Sequence, residues 1–127
     1  MNLLLDSTIL IDVLRDRRGR RQLLFDLAMR GDRLASASIN VSEIYGGLLS
    51  REEIDAEALF EALYIYPLTT SVARDAGRLQ FAWARRGKTL DLADMIVAAT
   101  ALEYGLTLMT DNRKDFPMPE LKFVDLP

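Results

Sequence analysis

An open α/β fold with parallel strands is predicted by three observations. The run Asn2-Leu-Leu-Leu-Asp6 is too short for a helix and too apolar for a surface, so it reads as a strand buried on both faces. It feeds straight into Ser7-Thr8 and an apolar-periodic segment through Ile9, Leu10, Val13 and Leu14, the opening half of a βαβ unit. Short apolar runs then keep alternating with helical patterns to the end of the chain, with no linker, repeat or low-complexity stretch dividing the 127 residues. One domain spanning residues 1–127 is expected, with Asp6 at the carboxyl end of its first strand, the edge where ligands bind in such sheets.

Taken in order, Ser7 or Thr8 is the expected N-cap of the first helix. That helix runs into Arg15-Asp-Arg-Arg-Gly-Arg-Arg21, which packs five of the sixteen basic residues, Arg15, Arg17, Arg18, Arg20 and Arg21, into seven positions. Such a run is either a phosphate-contacting or partner-docking loop, or a solvated loop. A helix over Gln22 to Arg30 follows, stopped by Gly31, and Arg33 to Ala37 reads as a second buried strand. Ser38 is a plausible cap for a helix over Ile39 to Leu49, on which Glu43 has Asn40, Gly46 and Gly47 as its three- and four-residue neighbours. Two glycines inside a helix cost about 1 kcal/mol each, which favours a pocket beside Glu43 over an exposed glutamate on a mediocre helix.

Arg51 to Leu63 is a further amphipathic helix, and Tyr64 to Leu68 a third strand whose proline suits a sheet edge. Thr70 or Ser71 caps a helix to Arg86, ended by Gly87. In the segment from Thr89 to Gly105, Asp91 and Asp94 share a face in the first helical turn, where acids also favour the helix dipole. Behind them Ala98, Ala99 and Ala101 let the helix approach a sheet closely. Leu106 to Thr110 is the fourth strand, followed by Asp111, Asn112 and Asp115, and Leu121 to Leu126 suits a short last one.

Chemistry is bounded by what is missing. With no cysteine and no histidine, the chain has no thiol nucleophile, imidazole base or thiolate zinc site. Carboxylates and hydroxyls must carry any reaction, and these are hard ligands suited to Mg²⁺ or Mn²⁺. A net charge of −3 argues against a generally basic nucleic-acid surface but not against a local one. No stretch has the character of a membrane span or signal peptide, so a cytoplasmic protein is expected. Asp6, Glu43, Asp94 and the Asp111 to Asp115 loop can meet at one sheet edge, where acids in a common cleft repel unless a cation compensates. That combination fits metal-assisted hydrolysis of a phosphodiester.

The segments Asp6-Ser7-Thr8, Ser42-Glu43-Ile44 with Gly46-Gly47, Asp94-Met-Ile-Val-Ala-Ala-Thr, and Thr110-Asp-Asn-Arg-Lys-Asp115-Phe resemble, in order and at the usual separations, the four acidic motifs of PIN domains. The likeness spans nearly the whole chain and is nearest to the VapC-type toxin ribonucleases of toxin–antitoxin pairs. It implies an α/β/α sandwich with a central parallel sheet, a homodimer, and an Mg²⁺- or Mn²⁺-dependent endoribonuclease inhibited by a cognate antitoxin. In that likeness Asp6, Glu43 and Asp94 take the places of the first three acids. Asp6 and Asp94 would hold the metal, Glu43 would reach it directly or through water, and Thr8 or Thr110 would orient the attacking water. The products would carry a 5′-phosphate and a 3′-hydroxyl. The fourth acid departs from the pattern: Asn112 stands where many relatives have aspartate, with Asp115 one turn on and Asp111 a possible substitute. Two other readings are a PIN-like scaffold that binds RNA or protein without cleaving it, and a phospho-receiver domain. The latter lacks its paired acids, its phospho-accepting aspartate after the third strand and its late lysine.

Overall fold

A computed structural model describes residues 1–127. Five strands form one wholly parallel sheet: β1 (Asn2–Leu5), β2 (Arg33–Ala37), β3 (Tyr64–Tyr66), β4 (Thr107–Met109) and β5 (Lys122–Phe123), ordered β3-β2-β1-β4-β5. Chain order reverses between β1 and β4, which are paired through Leu3–Thr107, Leu4–Leu108 and Leu5–Met109. The carboxyl ends of these two strands therefore border the crevice of the sheet, and Asp6 and Thr110 leave them side by side.

Strand alternation explains why the central strands are apolar throughout. Leu4 and Leu108 point into one core with Val72, Ala76, Met95 and Phe116, while Leu3, Leu5 and Met109 point into the other with Ile9, Leu10, Leu24 and Ile44. The helices are α1 (Ser7–Leu14), α2 (Arg20–Met29), α3 (Ser38–Gly46), α4 (Glu53–Ala62), α5 (Thr70–Arg85) and α6 (Leu92–Tyr104). The second core is filled chiefly from α1 to α4, the first chiefly from α5 and α6. Every residue of α6 from Met95 to Ala101 is buried, because the helix lies between α5 and the sheet, and its alanines permit that approach. No helix is long and apolar enough to cross a membrane.

The structure corrects several expected boundaries. Asp6, not Ser7 or Thr8, occupies the N-cap position of α1, and its side chain makes no capping bond because it is engaged in the crevice. At α3 the N-cap position is Ala37, and Asn40 reaches back to accept its backbone N–H at 3.1 Å. That helix stops at Gly46, so Gly47 follows the helix instead of interrupting it. Arg51 to Leu63 divides into a 3-10 turn, Ser50–Glu52, and α4. Thr69 caps α5 through the Val72 N–H. β3 is an edge strand as expected, with Pro67 just beyond it.

Candidate active site

Asp6 is the most enclosed acid, at 4% exposure. Its Oδ2 accepts the Thr110 hydroxyl at 2.8 Å and its Oδ1 the Asn40 amide at 3.4 Å. Burial raises its pKa above the usual carboxylate range, against the opposing effect of these donors. The two strand ends are thus joined by a side-chain bond across the crevice.

Asn40, fully buried, organises the second wall. Its Oδ1 accepts from the Ser36 hydroxyl and the Ala37 N–H, both at 3.1 Å, which turns its Nδ2 toward Asp6, the Ser7 hydroxyl at 3.0 Å and Glu43 Oε1 at 3.4 Å. Ser7 in turn donates to Glu43 Oε1 at 2.8 Å, so the solvent-exposed glutamate is held against the β1–α1 corner. Asn40, Ser7 and Ser36 were not among the residues singled out in the sequence. The available signal was the placement of Asn40 one helical turn before Glu43. The pocket expected beside Glu43 toward the glycines is a cleft of about 30 Å³ between Ile11, Gly47 and Glu52, room for about one water. The working side of Glu43 is the side facing Asp6.

Asp94 enters from the first turn of α6, whose cap is Asp91: the Asp91 carboxylate accepts the Asp94 N–H at 3.2 Å. Asp91 thus has a structural task. The pKa of Asp94 is pushed up to about 7, first by burial and then by the negative charges of Asp6, Asp91, Asp115 and Glu43. Asp115, in the turn Arg113–Asp115, also raises Asp6 electrostatically. Four sequence-predicted acids, Asp6, Glu43, Asp94 and Asp115, therefore feel one another. Their donor chemistry, hard oxygens under mutual repulsion, fits a divalent cation, although no three carboxylates form a ready-made cage by themselves. Water must complete any coordination shell. Asn112 takes part through its backbone N–H, which donates to Thr110 Oγ1 at 3.1 Å, and Thr8 Oγ1 accepts the Asp111 N–H at 3.4 Å.

Asp111 and most of the arginine run belong elsewhere. Arg20 is 1% exposed, so it cannot reach a bound RNA. Its Nη2 donates to Asp111 Oδ1 at 2.8 Å, and Asp12 lies 3.9 Å from its Nε. Arg18 pairs with Asp111 at 2.9 Å and Asp12 at 3.5 Å, Arg15 pairs with Glu52 at 3.1 Å, and Arg21 donates to the Val13 and Leu14 carbonyls that end α1. Asp16 and Arg18 take left-handed backbone angles, φ +50° and +57°, to make this fold-back. The paired Asp111 is accordingly not a free fourth acid. In the run, Arg17 alone is exposed with no carboxylate within 4.0 Å. Arg20→Met is expected to destabilise the fold by about 3–5 kcal/mol in urea denaturation, because Asp111 is left buried without its main partner. Adding Asp111→Asn should recover most of that loss; a single-variant cost under about 1 kcal/mol would show the pair to be dispensable.

Fold and site together define a small α/β domain whose chemistry rests on carboxylates at a topological switch point. The PIN domain model matches residues 3–119, and the chain belongs to the PIN-domain family. It is 32% identical over 120 residues to Ribonuclease VapC19 of Mycobacterium tuberculosis, covering 94% of this chain and 96% of that one. Ribonuclease VapC10 of the same organism is 32% identical over 118 residues, 93% of this chain and 88% of the relative. Among solved structures, VapBC2 from Rickettsia felis, bound to a DNA fragment from their promoter, has the same fold, with a TM-score of 0.86 over 100% of both chains at 21% identity.

Proposed function

We propose that this protein is an endoribonuclease toxin that hydrolyses RNA phosphodiesters with Mg²⁺ or Mn²⁺ and is neutralised by a cognate antitoxin. The observation that carries the proposal is the position of Asp94, held up at about 7 by Asp6, Glu43 and Asp115 around it, at the crevice between β1 and β4. A cleft that concentrates so much negative charge repels the phosphate of its own substrate unless a cation is present. Relatives named ribonucleases over nearly the full chain support the same activity.

In this reading Asp6 and Asp94 hold the cation and Glu43 orients the water opposite them. When bound, such a cation supplies charge neutralisation at the scissile phosphate and a water that ionises near neutrality. Thr110 and Asn40 fix Asp6 in one rotamer by hydrogen bonding both of its oxygens, and Ser7 does the same for Glu43. Asp115 adds the fourth negative charge. Water adds to phosphorus as the P–O3′ bond breaks, leaving a 5′-phosphate and a 3′-hydroxyl. A homodimer and a basic or acidic antitoxin segment that occupies the cleft or its rim complete the proposal.

The antitoxin-free protein should cleave RNA in Mg²⁺ or Mn²⁺ and stop in EDTA, followed on a denaturing gel. Cleavage that continues undiminished in EDTA would sink the metal mechanism. Tight RNA binding without cleavage in either metal would make the protein a non-cleaving PIN module.

A further inference from the structure

We propose, on the basis of the ribonuclease activity assigned above, that single-stranded RNA flanking the scissile bond lies across the carboxyl end of α5 and the turn at Lys114, gripped by Arg85, Arg86, Lys88 and Lys114. The net charge of −3 and the acidic cleft both repel a polyanion, so a local cationic surface has to draw it in. The arginine-rich run after α1 is largely spent on internal ion pairs with Asp12, Asp16, Glu52 and Asp111. At the end of α5 the situation is reversed. Arg85, Arg86, Lys88 and Lys114 are all exposed, and none has a carboxylate within 4.0 Å.

Two of these cations are preorganised on aromatic rings. The Arg86 guanidinium lies 4.1 Å over Trp83, and that of Arg85 lies 5.7 Å from the centre of Phe81. Stacking holds each guanidinium in place while leaving its N–H edges free for the two oxygens of a phosphodiester. Phe81, at 64% exposure, offers a ring face on which an unpaired base can stack. Contacts of this kind grip the backbone and carry little sequence information.

Continuity with the acids fixes the direction. Lys88 Nζ donates to the Lys114 carbonyl at 3.4 Å, tying the α5–α6 connection to the turn that carries Asp115. Gln80 anchors the same connection by donating to the Leu90 carbonyl at 3.0 Å, one residue before the Asp91 cap of α6. The cationic surface therefore runs up to Asp94 and Asp115 from one side. A strand held there delivers its next phosphate to the cleft.

The test is fluorescence anisotropy of a short 5′-labelled oligoribonucleotide in EDTA, where nothing is cut, over a series of salt concentrations. Arg85→Gln/Arg86→Gln/Lys88→Gln should bind about tenfold more weakly and flatten the slope of log affinity against log salt by about 2, since each lost phosphate contact removes roughly 0.7. Arg17→Gln, which removes the exposed, unpaired arginine of the other loop, should bind like wild type. Arg85→Lys/Arg86→Lys should keep the wild-type slope, because charge is retained. Melting temperature should stay unchanged in all three, the side chains being exposed. Wild-type affinity and slope in the glutamine variant, or no salt-dependent binding by the wild type, would overturn the assignment. So would a glutamine variant that binds RNA normally but no longer binds an acidic peptide, since the surface would then serve a protein partner. Hydrolysis of RNA by the wild type in Mg²⁺ is scored separately, so the surface can fail while the activity stands, or the reverse.

Discussion

Asp94→Asn is expected to lower RNA hydrolysis by about 10³-fold or more while making the metal-free protein more stable. The loss follows if the Asp94 carboxylate holds the cation, because charge stabilisation of a transferring phosphoryl group amounts to several kcal/mol, and each 1.36 kcal/mol is tenfold in rate. The gain in stability has a separate cause. Asp94 faces Asp6, Asp91, Asp115 and Glu43 with no basic partner, so an isosteric neutral amide relieves repulsion in the folded state. For a domain of this size 1 kcal/mol appears as roughly 3–5 °C in melting temperature. Asp6→Asn should be equally inactive but should not gain in the same way. There an amide replaces a carboxylate that accepts from both Thr110 and Asn40, and one of the two donors then meets another N–H. Single-turnover cleavage assays and thermal melts in EDTA at pH 8 separate the two effects. Near-normal cleavage by Asp94→Asn would remove the residue from the reaction, and a sharply lower melting temperature would make it structural.

Above about pH 4 the metal-free protein should lose stability as pH rises toward 7, and a divalent cation should restore it. In the unfolded chain Asp94 titrates at the ordinary value of 3.8, and in the folded protein at about 7. Between those values the native state holds a proton that the unfolded chain has released, so raising pH favours unfolding. Below the window both states are protonated and no penalty exists; above it both are ionised and the penalty is complete. The shift corresponds to at most about 4 kcal/mol, and to less as solvent screens the partly exposed group. Asp6, also raised, contributes with the same sign. Asp32, held low by hydrogen bonds from the amino terminus and Arg30, and Glu52, held low by Arg15, contribute the opposite slope in acid. The measurement is therefore a difference: urea midpoints across pH for the wild type minus those for Asp94→Asn. Mg²⁺ at a hundred times its dissociation constant should add about 2.7 kcal/mol at pH 8 to the wild type and much less to the variant. Coincident pH profiles for the two proteins would show that the repulsion is not felt.

Much of the fold was legible because it is written in local pattern. Leu3 to Leu5 and Arg33 to Ala37 are strands where apolar runs of strand length predicted them, and Gly105, at φ +64°, ends α6 as its position at the close of a periodic segment implied. Helix starts were less legible. Ser7, Thr8 and Ser38 have the chemistry of caps, but a hydroxyl beside an acid can bond across the fold instead. Ser7 donates to Glu43, Thr8 accepts from the Asp111 backbone, and Ser38 accepts the Leu68 N–H.

The acids themselves, with no histidine or cysteine to compete, were determined by the sequence: residue type decides which atoms can bind a cation, and spacing decides which helical turn presents them. Only the tertiary structure decided what each charged side chain faces. Asp111 and Asp115 stand four residues apart in one loop, yet the first is bound to Arg20 and Arg18 and the second is turned toward Asp6 and Asp94. Arginines 15 to 21 look like the densest free charge in the chain, yet folding brings acids from α1, the 3-10 turn before α4 and the β4 loop against them, while the sparser cations after α5 stay unpaired. Pairing of this kind depends on distance in space between residues up to ninety-one positions apart. Coulomb energy falls with that distance and with the water between the charges, and neither is visible along a chain.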